Sequence, residues 1–278
     1  MINSHGRFVW YELMTADKET AKAFYAGVVG WGTRDVSMSG AAYSLFTAGD
    51  APVTGMMNLP DNVSGAGVTP HWVGYVGVDD VDAAIVRIKE LGGAVHVPPT
   101  NFPNVSRFSV VADPQMATLA LIKGLQPAQV RSAEPDTPGR VGWHELLATD
   151  WKKAFAFYRK LFGWQKADAH TGAMGTYQQF SAGGETIGGM FTKPPVLPFP
   201  FWLYYFNIAG IDAAARRVEA GGGQILFGPT EVPGGAWIVH CVDPQGAIFA
   251  LLDRHPRKAI GYVTCAAAAI RSAPCGQR

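Results

Sequence analysis

Two periodicities take turns along this chain. Phe8 to Met14 has strand composition, with Trp10, Glu12 and Met14 on one face and Tyr11 and Leu13 on the other. Asp17 follows as an N-cap. Ala21, Phe24, Tyr25 and Val28 then recur at helical spacing until Gly30 stops the helix. Thr20 stands where Glu or Gln would complete a capping box, so the box is not met. Short strands are expected around Tyr43–Thr47 and Val53–Leu59, and the glycines of Thr54-Gly55 and Gly188-Gly189 read as bulges or tight bends. A second strand, Trp72–Val78, leads into a helix with Val81, Ala84, Ile85 and Ile88 on its apolar face and Gly92-Gly93 as its stop. Strands at Phe108–Ala112 and Thr118–Ile122 flank a turn at Asp113-Pro114-Gln115-Met116. The unit is thus β-α-β-β-β, twice.

The whole unit then repeats. Trp10–Trp31 laid on Trp143–Trp164 without a gap gives ten identities in 22 positions: Trp10/Trp143, Glu12/Glu145, Leu13/Leu146, Asp17/Asp150, Ala21/Ala154, Ala23/Ala156, Phe24/Phe157, Tyr25/Tyr158, Gly30/Gly163 and Trp31/Trp164. Further on, Trp72/Trp202, Tyr75/Tyr205, Gly92-Gly93/Gly222-Gly223 and Asp113-Pro114-Gln115/Asp243-Pro244-Gln245 match at a slightly different offset. The boundaries read as residues 7–124 for the first domain, 125–139 for a Pro-rich polar linker, 140–254 for the second domain and 255–278 for a mobile tail.

Composition narrows the functional classes. At 48% apolar and 16% charged residues the chain can bury two cores. A net charge of +1 with no long basic run gives no argument for nucleic acid. The apolar stretch Ala259–Ile270 is too short to span a bilayer, and the opening residues do not form a signal peptide. Cys241, Cys265 and Cys275 lack metal-ligand spacing, and a reducing, cytoplasmic setting is expected, with a secreted protein without disulfides left open.

The run Trp-Tyr-Glu-Leu-Met-Thr-Ala-Asp, the helix with Ala-Phe-Tyr, the Gly-Trp that ends it and the late Asp-Pro-Gln turn together resemble the vicinal oxygen chelate superfamily, which includes glyoxalase I, bleomycin-resistance proteins and extradiol dioxygenases. The resemblance implies an α+β fold: two tandem glyoxalase-like domains, each of two β-α-β-β-β modules curving a mixed sheet around a cleft. It also implies four metal-ligand positions per site. A His is expected seven residues before the capping Asp, where this chain has Trp10 and Trp143. A Glu is expected seven residues after the Asp of the Asp-Pro turn, where it has Ala120 and Ala250. The ligand on the first strand of the second module falls near Val73 and Leu203, and neither Val53–Leu59 nor Thr186–Thr192 contains His, Glu, Asp or Cys. Such side chains supply no lone pairs to a divalent ion.

By strand parity, Trp10, Glu12, His71, Val73 and Tyr75 face the first cleft, and Trp143, Glu145, Phe201, Leu203 and Tyr205 the second. Apolar, aromatic walls with one carboxylate suit a small hydrophobic or aromatic molecule. The favoured reading is a binding or resistance-type protein without a metal or other cofactor, working as a monomer or homodimer. The alternative is a lyase, isomerase or extradiol-type dioxygenase. It would use Glu12 or Glu145 as acid or base, or hold Fe, Zn or Mn through His144, Glu145 and His240. A third reading is structural, with filled clefts and both glutamates satisfied by a backbone amide or an Arg. His71 lacks a counterpart in the second domain and reads as local, His144 as a core residue behind the sheet, and His240 as a strand residue without an obvious partner.

Overall fold

The computed structural model describes residues 4–38, 41–59, 68–102, 106–124, 136–172 and 175–255. Most of the expected linker and all but the first residue of the expected tail, with Cys265 and Cys275, lie outside them. The first domain runs β1 (Phe8–Thr15), α1 (Lys18–Val29), β2 (Gly32–Met38), β3 (Ala41–Ala48), β4 (Ala51–Asn58), β5 (His71–Gly77), α2 (Val81–Glu90), β6 (Ala94–Phe102), β7 (Ser106–Ala112) and β8 (Thr118–Lys123). The second repeats it as β9 (Val141–Ala148), α3 (Trp151–Phe162), β10 (Gln165–Gly172), β11 (Gly175–Ala182), β12 (Glu185–Thr192), β13 (Phe201–Asn207), α4 (Ile211–Ala220), β14 (Gln224–Glu231), β15 (Trp237–Val242) and β16 (Ile248–Asp253). None of the described helices is long and apolar enough to cross a membrane.

Each domain is one eight-stranded mixed sheet, ordered β2-β3-β4-β1-β5-β8-β7-β6 in the first and β10-β11-β12-β9-β13-β16-β15-β14 in the second. The helical crossover after β1 makes β1 and β4 parallel, and the crossover after β5 does the same for β5 and β8. The two modules join where β1 and β5 run antiparallel. The strands that carry the predicted cleft residues are therefore the two central ones, held on both sides.

The helices start and stop as their termini dictate. Asp17 accepts the amides of Glu19 and Thr20, Asp150 those of Lys152 and Lys153, and Gly30 and Gly163 end their helices in the left-handed conformation that glycine adopts without strain. Helix α4 has Gly210 at its N-cap, and Asp253 of β16 accepts the Gly210 and Ile211 amides instead.

One apolar core lies behind both sheets and is shared by the two domains. Trp72 of β5 meets Phe206 of β13 at 4.9 Å between ring centres, and α1 packs against α4. The repeated residues make this joint. The Tyr25 hydroxyl donates to Asp243 and accepts from Trp72, while its mate Tyr158 donates to Asp113 and accepts from Trp202. The Gln115 amide group clasps the backbone N–H and C=O of Asp150, and Gln245 does the same at Asp17. Near the pseudo-twofold axis the symmetry breaks: Tyr11 faces His144, its own mate, and the Tyr204 hydroxyl accepts the amide of Gly74, its own mate, where a Cβ would come within 2.7 Å of the Tyr204 ring.

Candidate functional site

In the first domain Trp10, Glu12 and Met14 share a face with Val73 and Tyr75, while Leu13, Trp72 and Val76 turn to the common core. A bulge between Phe8 and Trp10 puts Val9 on the cleft side too. Glu12 is buried at 7% exposure. Its carboxylate accepts the Tyr75 hydroxyl at 2.7 Å and also the Tyr43 hydroxyl, which in turn accepts the Trp10 indole N–H at 3.2 Å. The second domain builds the same set. Glu145, 6% exposed, accepts from Tyr177 and Tyr205, and the Trp143 indole donates to Tyr177 at 2.7 Å. The partners are tyrosines, not the backbone amide or arginine expected of a structural glutamate.

Among the described residues no cation offsets these carboxylates, so desolvation dominates their ionisation. Burial pushes Glu12 above its ordinary value, opposed by its two tyrosine hydroxyls, and pushes Glu145 up to about 7. The same burial, with the adjoining carboxylates, holds Tyr43, Tyr75, Tyr177 and Tyr205 far above the usual phenol range, so they remain donors. Each site thus sets a partly exposed Trp, Trp10 or Trp143, beside a buried carboxyl whose neutral form is favoured by burial.

Tyr43 and Tyr177 were not singled out from the sequence. A signal was available. The offset between repeats is 134 here, where Tyr43/Tyr177, Phe46/Phe180, Gly55/Gly189 and Met56/Met190 coincide. These tyrosines also explain the glycines. Bulges do occur beside them, at Val53 and Ile187, but Gly55 and Gly189 themselves pair regularly with Glu12 and Glu145. What they supply is room: a Cβ on Gly55 would lie 1.7 Å from the Tyr43 hydroxyl, and one on Gly189 2.3 Å from the Tyr177 ring.

The histidines separate. His144 is behind the sheet, stacked on Phe8 at 4.1 Å and bonded to the Tyr11 hydroxyl and the Ile187 carbonyl, and burial lowers it to about 4. It is on the opposite face of β9 from Glu145, so His144, Glu145 and His240 do not converge. His240, expected to lack a partner, lies in the second cleft with Nε2 2.8 Å from the Tyr205 hydroxyl. His71 is half-buried at the end of β5 and its ring bonds the Thr69 carbonyl.

A model of the Glyoxalase/Bleomycin resistance protein/Dioxygenase superfamily matches residues 7–121 and again 140–251. The chain belongs to this superfamily. Within it, "Putative glyoxylase CFP32" of Mycobacterium tuberculosis is 31% identical over 252 residues, 90% of this chain and 95% of that one. "Anthracycline biosynthesis protein DauV" of Streptomyces sp. strain C5 is 30% identical over 268 residues, 89% and 93% of the two chains. Among solved structures, the Mn(II)-bound glyoxalase of Novosphingobium aromaticivorans superposes with a TM-score of 0.60 over 90% of this chain and 83% of that one, at 17% identity, a likeness of fold.

The superfamily's metal positions can be tested against these clefts. Val73 pairs with Glu12, Ala120 with Tyr75, and the strand Ala51–Asn58 runs beside Glu12, as Leu203, Ala250 and the strand Glu185–Thr192 do around Glu145, so the expected positions do come together around each carboxylate. Three of them carry indole, isopropyl or isobutyl, and methyl, and the fourth strand has no His, Glu, Asp or Cys between Val53 and Leu59 or between Thr186 and Thr192. Among the described residues no three His, Cys, Asp or Glu side chains gather. A single carboxylate already engaged by two phenols does not fit a divalent ion, which needs several converging donors.

Proposed function

We propose that this protein binds a small aromatic molecule in its clefts without a metal. The observation that carries the reading is the Trp–Tyr–Glu–Tyr set, built once in each domain, with its tryptophan at a position where the superfamily places a metal ligand and its glutamate on the same central strand. A protein that needed only stability would gain by replacing each buried, cation-free carboxylate with a neutral side chain. Keeping both argues for a ligand that bonds to them. The half-exposed indoles of Trp10 and Trp143 give a face for stacking, and the glutamate accepts a hydroxyl from the ligand. A relative named for anthracycline biosynthesis is consistent with a flat aromatic ligand.

The test is a titration of the full chain, in chelator, with 1,4-dihydroxyanthraquinone, a planar hydroxylated ring system. Binding is read by calorimetry and by quenching of Trp10 and Trp143 fluorescence. Micromolar or tighter binding, weakened at least tenfold by Glu145→Gln or Trp143→Ala, supports the reading. Equal affinity in wild type and both variants places the dye elsewhere and refutes it for the second cleft.

A further inference from the structure

The two sites match in their tryptophan, glutamate and two tyrosines but differ beside the second tyrosine. Val110 of β7 pairs with Ala120, and at the corresponding place His240 of β15 pairs with Ala250. In the first cleft the Tyr75 hydroxyl bonds Glu12 and its ring has apolar Phe108 beside it. In the second, the Tyr205 hydroxyl stands between the Glu145 carboxylate and His240 Nε2. The surroundings differ as well. Phe227, 47% exposed, lies 5.4 Å from the His240 ring, and Leu197, from the loop that exposes Val196 and Phe199, packs on the second cleft.

A phenol between a carboxyl and an imidazole has two settings. With Glu145 ionised, the Tyr205 O–H donates to the carboxylate and its oxygen accepts from His240 Nε2–H. With Glu145 protonated, the carboxyl O–H donates, the Tyr205 O–H turns to His240 Nε2, and the ring proton sits on Nδ1. The second setting holds one more proton, on Glu145, and the Tyr205 hydroxyl donates in both. At the matching place beside Tyr75, Val110 offers no acceptor.

We propose that the second cleft is an acid–base site: Glu145 exchanges a proton with the bound ligand, and His240, a positioning residue acting through Tyr205, accommodates both charge states of that carboxyl. This rests on the reading that an aromatic ligand occupies the cleft, and it specifies the ligand as one bearing a phenol or an enolisable carbonyl. In the forward step a ligand O–H or C–H bond breaks, its electron pair stays on the ligand as phenolate or enolate, and a Glu145 O–H bond forms. Return of the proton to the same atom or to a conjugated one restores the carboxylate with no co-reactant. Around Glu145 lie also Trp143, Tyr177, Phe191, Leu203 and Ala250, and among the described residues no second charge shifts its carboxyl. Burial sets Glu145 near 7 and keeps His240 neutral, near 4, which leaves both free to alternate at neutral pH.

The experiment is nitrogen NMR of histidine-labelled full-length protein between pH 5.5 and 8.5, with the His240 signals assigned by their loss in His240→Phe. The expected result is a His240 Nε2 that passes from acceptor to donor across the Glu145 titration, with no change in Glu12→Gln and a fixed tautomer in Glu145→Gln and Tyr205→Phe. A His240 tautomer that stays constant in wild type, or that still switches in Glu145→Gln, overturns the coupling. The 1,4-dihydroxyanthraquinone titration separates the two readings. Dye binding with a static His240 leaves the binding function standing and overturns the acid–base site. A switching His240 with no dye binding refutes the ligand reading and reduces the coupling to a structural one.

Discussion

Replacing Glu145 by Gln should stabilise the protein more as the pH rises. Glu145 titrates near 7 in the folded chain, against an ordinary value of 4.5, because burial outweighs the hydroxyls of Tyr177 and Tyr205. A carboxyl whose folded value is raised contributes stability that is complete below 4.5 and is lost as the pH climbs through 7. At pH 8.5 the ionised group therefore costs about 3 kcal/mol relative to acid conditions. Glutamine has nearly the same shape and does not titrate. Its amide N–H still needs an acceptor, which adds an offset of about 1–3 kcal/mol that is independent of pH. The assay is urea unfolding of wild type and Glu145→Gln at several pH values from 4.5 to 8.5, followed by tryptophan fluorescence. The difference between the two chains cancels every other titrating group. It should rise by roughly 3 kcal/mol across the range, most steeply between pH 5 and 7. A difference that is flat with pH would mean that Glu145 ionises as an ordinary surface carboxylate. The argument that burial holds it ready for proton exchange would then be wrong.

Other consequences are as direct. His144 is held near 4 by burial against Phe8, so the stability it gives by staying neutral is present above 6.5 and lost as the pH falls toward 4. His144→Phe should remove about 3 kcal/mol of the acid destabilisation, seen as a flatter acid limb in the same unfolding series. Gly189→Ala forces Tyr177 off its seat over β12 and should cost about 1–3 kcal/mol and raise the Glu145 titration further; an unchanged melting temperature would contradict the packing. Gln115→Ala removes both bonds to the Asp150 backbone and should cost about 1–2 kcal/mol, and adding Gln245→Ala should roughly double the loss, because the two clasps are separate.

The sequence carried the faces of the strands well. Parity from Trp10 placed Glu12 and Tyr75 in one cleft and Glu145 and Tyr205 in the other, because a one-residue slip would turn Leu13 and Trp72 out of a core that needs them. It also put His144 behind the sheet. The partners of the glutamates were harder to read. Tyr43 and Tyr177 come from β3 and β11, two strands away from the carboxyls they bond, and reach them only across a glycine on the strand between. Contacts across the pseudo-twofold axis left no local trace. Tyr25 meets Asp243 at 218 residues' separation, and nothing in the periodicity of either segment announces the other. The Asp-Pro-Gln turn is visible as a repeat, yet its work of clasping the opposite domain's helix cap appears only once the two cores are seen to be one. The His240–Tyr205 pair is of the same kind: β15 reaches β13 only because β16 lies between them.

The proposal stands or falls on whether the positions at which the superfamily places metal ligands hold a metal in this chain. Elemental analysis of untagged protein tests it most directly, on samples purified without chelator and again after incubation with manganese, iron or zinc and desalting. The account predicts well under a tenth of an equivalent of any of these metals per chain. One equivalent of tightly held metal, lost in Glu12→Gln or Glu145→Gln, would contradict it.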